Sequence, residues 1–324
     1  MRPKLEEPNV MGGPSLEVME LGYHLLKSGE RRPVAIDLGA GTGRNSLFLA
    51  SLGFEVMAVE HNRQLASQCA ALLLHSGYDA QVKQSDVRML VPDQPVDLCL
   101  CLGILHFLEL KSAEDIVRRM KIATRPNGFH VLTIADPRYN RGYQNTLADQ
   151  DFLGSVSSEL LTDWYKDWQL LMYERYLKID DHLDGPLDEH VIEKLVFTPA
   201  PSVPGPPHIC RVWKVRPEKS PELTKLQLHR LVHSRASWDQ VASQLGPPDL
   251  EIASSSSRPQ LSAAPRGVAD FHLHVAFWGR LKLYFENDKL VGFSYYQTDD
   301  IHSFTDADMS SQLSINLCRM GKQI

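Results

Sequence analysis

The stretch Val34-Ala35-Ile36-Asp37-Leu38-Gly39-Ala40-Gly41-Thr42-Gly43-Arg44-Asn45 decides how the chain is read. An apolar run carrying an acid leads into three glycines at alternate positions, then into residues of helical composition through Leu52. Strand, glycine turn and helix together let backbone approach a nucleotide closely and aim the unpaired N–H groups of a helix N-terminus at it. Working outward, a second apolar run, Phe54 to Val59, ends in Glu60. An acid at the tip of the second strand, about twenty residues past the glycines, suits hydrogen bonding to ribose hydroxyls.

Two cofactors fit that arrangement. The dinucleotide fingerprint spaces its glycines G-x-G-x-x-G, the third packing helix against strand. Here the spacing is G-x-G-x-G, with an aspartate just before the loop. That pattern resembles motif I of the S-adenosyl-L-methionine (SAM)-dependent methyltransferases, in which the loop cradles the methionine end of SAM. SAM is therefore expected rather than a dinucleotide.

Composition narrows the rest. The chain has 324 residues, long enough for two domains, and 43% hydrophobic content supports real cores. A net charge of −6 gives no general attraction for nucleic acid. No apolar run has the length of a membrane span, and Met1 to Glu7 lacks the apolar region of a signal peptide. The five cysteines (Cys69, Cys99, Cys101, Cys210, Cys318) are odd in number and scattered, Cys99 and Cys101 alternate in an apolar run that suits buried thiols better than a metal site, and a reduced cytoplasmic setting is expected.

Taken in order, Ser15 caps a helix through Lys27, and helices follow at Ser46 to Leu52 and from Asn62 to about Leu74. Strands are expected at Ala80 to Gln84, Val96 to Leu102 and, after a Pro126-Asn127-Gly128 turn, Phe129 to Ala135, with a helix from Ser112 to Ala123 between the last two. This β-α alternation predicts a parallel α/β sheet whose carboxyl edge carries Asp37, Glu60, Asp86, Cys101 to Gly103 and Asp136. A helix at Ser158 to Trp168 and a hairpin, Leu170 to Ile179 with Val191 to Phe197, come next. Thr198 to Pro207 holds five prolines and reads as a linker; alternatively it is the hairpin loop, with Ile209 to Val215 as the last strand of that sheet. Helices at Leu223 to Val232 and Trp238 to Leu245, a Ser-rich stretch to Pro265, and strands Phe271 to Phe277, Arg280 to Glu286 and Leu290 to Gln297 complete a small α+β domain whose aromatic stripe forms its own core. The expected units are a SAM-binding domain at 1–200, a Pro-rich link at 201–222 and the small domain at 223–324.

Asp37 through Ala50, with its G-R-N-S-L-x-L-A continuation, and the following L-G-F-E-V run resemble the TehB-type tellurite-resistance methyltransferases. Leu108-Glu109-Leu110-Lys111, Met120 to Phe129 and the Trp/Tyr-bearing helix before the hairpin are similar as well. The resemblance covers about residues 15 to 200 and implies a Rossmann-like methyltransferase fold. It implies that Asp37, Gly39, Gly41 and Gly43 form the SAM loop, with Arg44 near the methionine carboxylate. Glu60 would take the ribose, and Asp86 with Val87 would take the adenine. Cys101 joins the cofactor-facing set by its place on the carboxyl edge. The family's His-Arg pair in the hairpin is matched here by His182, followed by Leu183 instead of arginine.

His106, Asp136 and His182 are the candidates for handling the acceptor, although a histidine after an apolar strand is more often packed than catalytic. Displacement at a sulfonium methyl chiefly needs alignment and desolvation, and a base only if the nucleophile is protonated. The expected function is methyl transfer from SAM to a small acceptor, such as the chalcogen oxyanions tellurite or selenite. The alternative is a SAM-binding regulator whose C-terminal domain meets a protein partner.

Overall fold

The structure, a computed structural model, describes residues 14–28, 31–78, 80–136, 144–145, 150–151, 153–180, 188–200, 211–214, 217–255, 272–286, 288–297 and 300–303. Helix α1 (Leu16–Ser28) is followed by β1 (Val34–Leu38), α2 (Arg44–Ser51), β2 (Glu55–Glu60), α3 (Arg63–His75), β3 (Gln81–Gln84), β4 (Val96–Leu102), α4 (Leu110–Ala123) and β5 (Thr124–Ala135). Two short strands, β6 (Gln144–Asn145) and β7 (Gln150–Asp151), pair with each other. Helix α5 (Ser158–Trp164) leads into a long hairpin of β8 (Trp168–Asp180) and β9 (Asp188–Pro199). Beyond it lie β10 (Arg211–Lys214), α6 (Lys225–His233), α7 (Trp238–Leu245), β11 (Leu250–Ser255), β12 (His272–Trp278), β13 (Leu281–Glu286), β14 (Lys289–Tyr296) and β15 (Asp300–Ser303).

Eleven strands form one sheet in the order β11-β12-β13-β14-β8-β9-β5-β4-β1-β2-β3. The half from β5 to β3 is parallel, with β1 between β2 and β4. All five residues of β1 are buried, as expected of a strand covered on both faces. One face packs Ala35, Val56 and Leu98 under α1, α2 and α3 through Leu21, Leu49 and Leu73. The other packs Ile36, Val59 and Cys99 under α4 and α5 through Ile116, Val117 and Leu161. The Asn62 side chain accepts from the N–H groups of Gln64 and Leu65 and so caps α3, as the sequence implies. Helix α7 starts at Trp238 because Ser237 and Gln240 form a reciprocal capping box.

Several expectations are corrected. Helix α4 starts at Leu110, with Ser112 inside its first turn instead of capping it. Pro126-Asn127-Gly128 belongs to β5, which runs unbroken from Thr124 and takes up a register irregularity against β4. The expected Ser158 to Trp168 helix stops at Trp164, and Trp168 opens β8. Residues Ser254 and Ser255 close an additional strand, β11. The 201–210 stretch, most of the Ser-rich run, His182, Cys210 and Cys318 lie outside the described residues.

The C-terminal strands join the sheet of the N-terminal part, because β14 pairs antiparallel with β8 from Gly292↔Asp180 to Tyr296↔Tyr176. Strands on either side of residue 200 therefore share one sheet. Strand β10 pairs with β15 and is not a member of it. The aromatic stripe also divides. Trp278, Phe285 and Phe293 pack with α6 and α7, whereas Phe277 and Tyr296 pack with Met19 of α1 and Tyr176 of β8. No helix among the described residues is long and apolar enough to cross a membrane.

Candidate functional site

The loop after β1 is fastened to the end of β2. The N–H groups of Gly39 and Ala40 both donate to the Val59 carbonyl, at 2.8 and 3.1 Å. Gly39, Gly41 and Gly43 all have positive φ, at 70°, 59° and 91°, which L side chains rarely adopt. Their surroundings differ. A Cβ on Gly39 would stand 2.2 Å from Ile104 of the loop after β4, and one on Gly43 would stand 2.6 Å from the Cys69 sulfur of α3. A Cβ on Gly41 would meet nothing within 4 Å. The outer two glycines allow close packing of the scaffold, and the middle one faces open space.

Glu60 lies directly against that space. Its Oε2 accepts the Gly41 N–H at 2.9 Å and its Oε1 accepts the Asn62 N–H at 2.8 Å, and the residue is buried. The carboxylate thus ties the glycine loop to the cap of α3. Since each carboxylate oxygen has two acceptor sites, it retains capacity for hydroxyl donors. Asp37 sits beneath the loop, buried, with Ser46 Oγ donating to its Oδ2 at 2.7 Å. Burial pushes its carboxyl up to about 6, opposed by the Ser46 hydrogen bond and the charge of Arg44, the first residue of α2.

The other expected cofactor residues are engaged differently. The Asp86 carboxylate accepts from the Arg88 backbone N–H and pairs with its guanidinium, which holds it below the usual carboxylate range. Val87 is buried in the layer under α4. The Cys101 thiol points into that layer too, because alternate residues of β4 face opposite sides, and burial drives its ionisation far up. Only the Cys101 backbone lies on the carboxyl edge.

On the acceptor side, His106 is buried in a 3-10 turn after β4, and its Nδ1 accepts the Ala135 N–H at 3.2 Å. Burial pushes it down to about 3, helped by the nearby His190. It is a neutral tether between β4 and β5 and a weak base. Asp136 follows β5, fully buried, and its Oδ2 accepts from Arg175 Nη2 at 2.8 Å and Nε at 3.2 Å. Arg175 Nε also lies 3.8 Å from Glu193 Oε1, which accepts from Ser158 Oγ and the Tyr173 hydroxyl. Sequence reasoning did not single out Arg175, Glu193 or Ser46. The signal for the first two is Glu174-Arg175 and Glu193-Lys194 interrupting two apolar runs, which the hairpin sets opposite each other as Arg175↔Glu193 and Glu174↔Lys194. A cavity of about 390 Å³ lined by Arg32, Glu55 and Gln81 lies at the amino ends of the strands, opposite the glycine loop. Among the described residues no three His, Cys, Asp or Glu side chains are grouped to hold a metal ion.

The parallel order 3-2-1-4-5, the glycine loop after β1 and the acid closing β2 define a Rossmann-like domain. Residues 27–182 match the family model of the tellurite resistance protein TehB. The chain is 24% identical over 138 residues to a probable SAM-dependent methyltransferase TehB of Haemophilus influenzae, covering 43% of this chain and 46% of that protein. It is also 24% identical over 139 residues to hemagglutinin 1 of Eikenella corrodens, covering 43% and 45%. The chain spans less than half the length of these curated relatives. The crystal structure of TehB from H. influenzae superposes with a TM-score of 0.44 at 20% identity, over 53% of this chain and 59% of that one.

Proposed function

We propose that the TehB-type domain binds SAM over the glycine loop and transfers its methyl group to a small acceptor at the carboxyl edge of β4 and β5. The observation that carries this is the open space at Gly41 beside a carboxylate that already holds the loop in shape. A cofactor with ribose hydroxyls and a cationic end fits there. Glu60 accepts the hydroxyls, and the buried Asp37 carboxylate, costly to ionise by itself, is relieved by a cation nearby. Bound SAM supplies an electrophilic methyl on a sulfonium, which leaves as a neutral thioether.

The chain's own part is alignment and exclusion of water. His106, pushed down to about 3, is a poor proton acceptor near neutrality, and the Asp136 carboxylate is shared with Arg175. This favours an acceptor that arrives with its lone pair available, and a chalcogen oxyanion such as tellurite or selenite is such a nucleophile. A cytoplasmic setting completes the proposal, supported by three buried free thiols, Cys69, Cys99 and Cys101. The test is release of S-adenosylhomocysteine when the full chain is incubated with SAM and tellurite, selenite or a panel of small amines, thiols and phenols. Turnover with the oxyanions supports the reading in full. Turnover with another acceptor moves the substrate class, and binding of SAM without turnover on any of them favours a regulator.

A further inference from the structure

The Arg175 guanidinium lies between two buried carboxylates, Asp136 at the end of β5 and Glu193 in β9. It makes two contacts to Asp136 and a looser one of 3.8 Å to Glu193. Its side chain is 18% exposed, and an arginine stem is long enough to swing between two such partners. Glu193 is already supplied with donors by Ser158 and Tyr173, each on Oε1. What biases the guanidinium is on its far side: Arg175 Nη1 donates to the side-chain oxygen of Gln297, just past β14. The Gln297 N–H in turn donates to the Arg175 carbonyl at 2.8 Å, so backbone and side chain are fixed by one residue. Gln297 lies 122 positions from Arg175 and outside the 27–182 TehB match.

We infer that Gln297 is a positioning residue: through Arg175 it holds the Asp136 carboxylate at the acceptor edge, so that the C-terminal third of the chain helps to shape that edge. The inference deepens the proposed function and rests on the acceptor entering beside β4 and β5. Arg175 of β8 contacts Asp136 directly and Glu193 of β9 more loosely, and His106 after β4 interacts with His190 of β9. Arg175 reaches both Asp136 and the C-terminal segment. Without the Gln297 oxygen, the two acids compete for the guanidinium on their own terms. With it, the Nη1 end is pinned and the Nε and Nη2 edge stays on Asp136.

The test uses nitrogen-15 NMR of the full chain, following solvent exchange of the Arg175 Nε–H, assigned by its loss in Arg175→Lys. In the unaltered protein this proton should be protected, and Asp136→Ala, which removes the acceptor oxygens, should expose it. Gln297→Leu should accelerate its exchange about tenfold or more. Gln297→Ala should do the same, and Gln297→Glu, which keeps an oxygen in place, should restore protection. Because Gln297 is exposed, these variants should fold and keep their SAM affinity in calorimetry. An unchanged exchange rate in Gln297→Leu, or an equal acceleration in Gln297→Glu, would overturn the inference. An absence of SAM binding in the unaltered chain would instead sink the methyltransferase reading and leave the exchange result standing.

Discussion

The two halves of the sheet handle charge in opposite ways. In the parallel half, three acids stand at or near the carboxyl tips, Asp37 and Glu60 by the glycine loop and Asp136 after β5, while Asp97 at the amino end of β4 is paired with Arg31 and Arg125. Where that half meets the antiparallel half, charges sit in mid-strand and in cross-strand pairs. Arg175↔Glu193 faces the α4 and α5 side, and Glu174↔Lys194 faces α1, where Lys194 Nζ donates to Glu17 at 2.9 Å. The tip charges stand where ligands of such sheets bind, outside the carboxyl ends of the strands. The seam charges are buried and paired, and they tie three parts of the chain together. The Tyr296 hydroxyl of β14 donates to Glu174 at 3.1 Å, and Lys282 of β13 donates to that hydroxyl at 3.2 Å.

The most severe way to break this contrast is to remove one half. A fragment ending at residue 200 loses Tyr296, Lys282, Val275 and Phe277, which cover Met19 and Tyr176 and complete the polar seam. It should fail to give a cooperative melt by circular dichroism and should bind no SAM. A soluble fragment that melts cooperatively would show that the halves fold separately.

Next in size is Lys194→Met, which leaves Glu17 and Glu174 buried without their cation. Removing one partner from a buried ion pair costs about 3–5 kcal/mol, to be read from denaturant midpoints. The pH response has a definite sign. Burial alone would push Glu17 up, but the charge and hydrogen bond of Lys194 outweigh it and hold the carboxyl below its ordinary value. Its contribution is therefore present above about pH 4.5 and lost as pH falls through the folded value, and Lys194→Met should erase that acid-side loss.

Asp37 behaves in the opposite sense. Its folded value is raised to about 6 from 3.8, so stability falls as pH rises between those values and the ionised form is held at a cost. Asp37→Asn should flatten that part of the stability curve and raise stability at pH 7 by about 2–3 kcal/mol, while weakening SAM binding. A pH profile identical to the unaltered protein would place the titrating group elsewhere. A smaller effect is expected of Glu60→Gln, which loses the charge that serves the Gly41 N–H and the proposed ribose. SAM affinity should drop by about 1.5–3 kcal/mol, and the melting temperature should fall as well, because glutamine offers one acceptor oxygen to the N–H groups of Gly41 and Asn62. Normal affinity with early melting would make Glu60 part of the scaffold alone.

What could be read in advance follows the same division. The parallel half was legible because its signals are local: apolar runs, alternating glycines, Asn62 before α3 and an acid closing β2. Helix α7 was bounded correctly at Trp238 to Leu245, whereas Ser112 misled because α4 begins without a side-chain cap. The pairing of β14 with β8 left no local trace, since it joins Gly292 to Asp180 across more than a hundred residues. Glu17 and Glu20 were not counted on the packed face of α1, because acids there make sense only once a buried lysine is supplied by β9. Within the candidate site, the loop glycines and the acid closing β2 could be picked out from spacing. Arg175 and Gln297 could not, because their meaning depends on which strands end up adjacent.

The most direct measurement is calorimetry of the full chain with SAM and, separately, with NAD. The account predicts one SAM site in the micromolar range, on the order of −7 to −8 kcal/mol, and no heat with NAD. Binding of NAD without binding of SAM would contradict it.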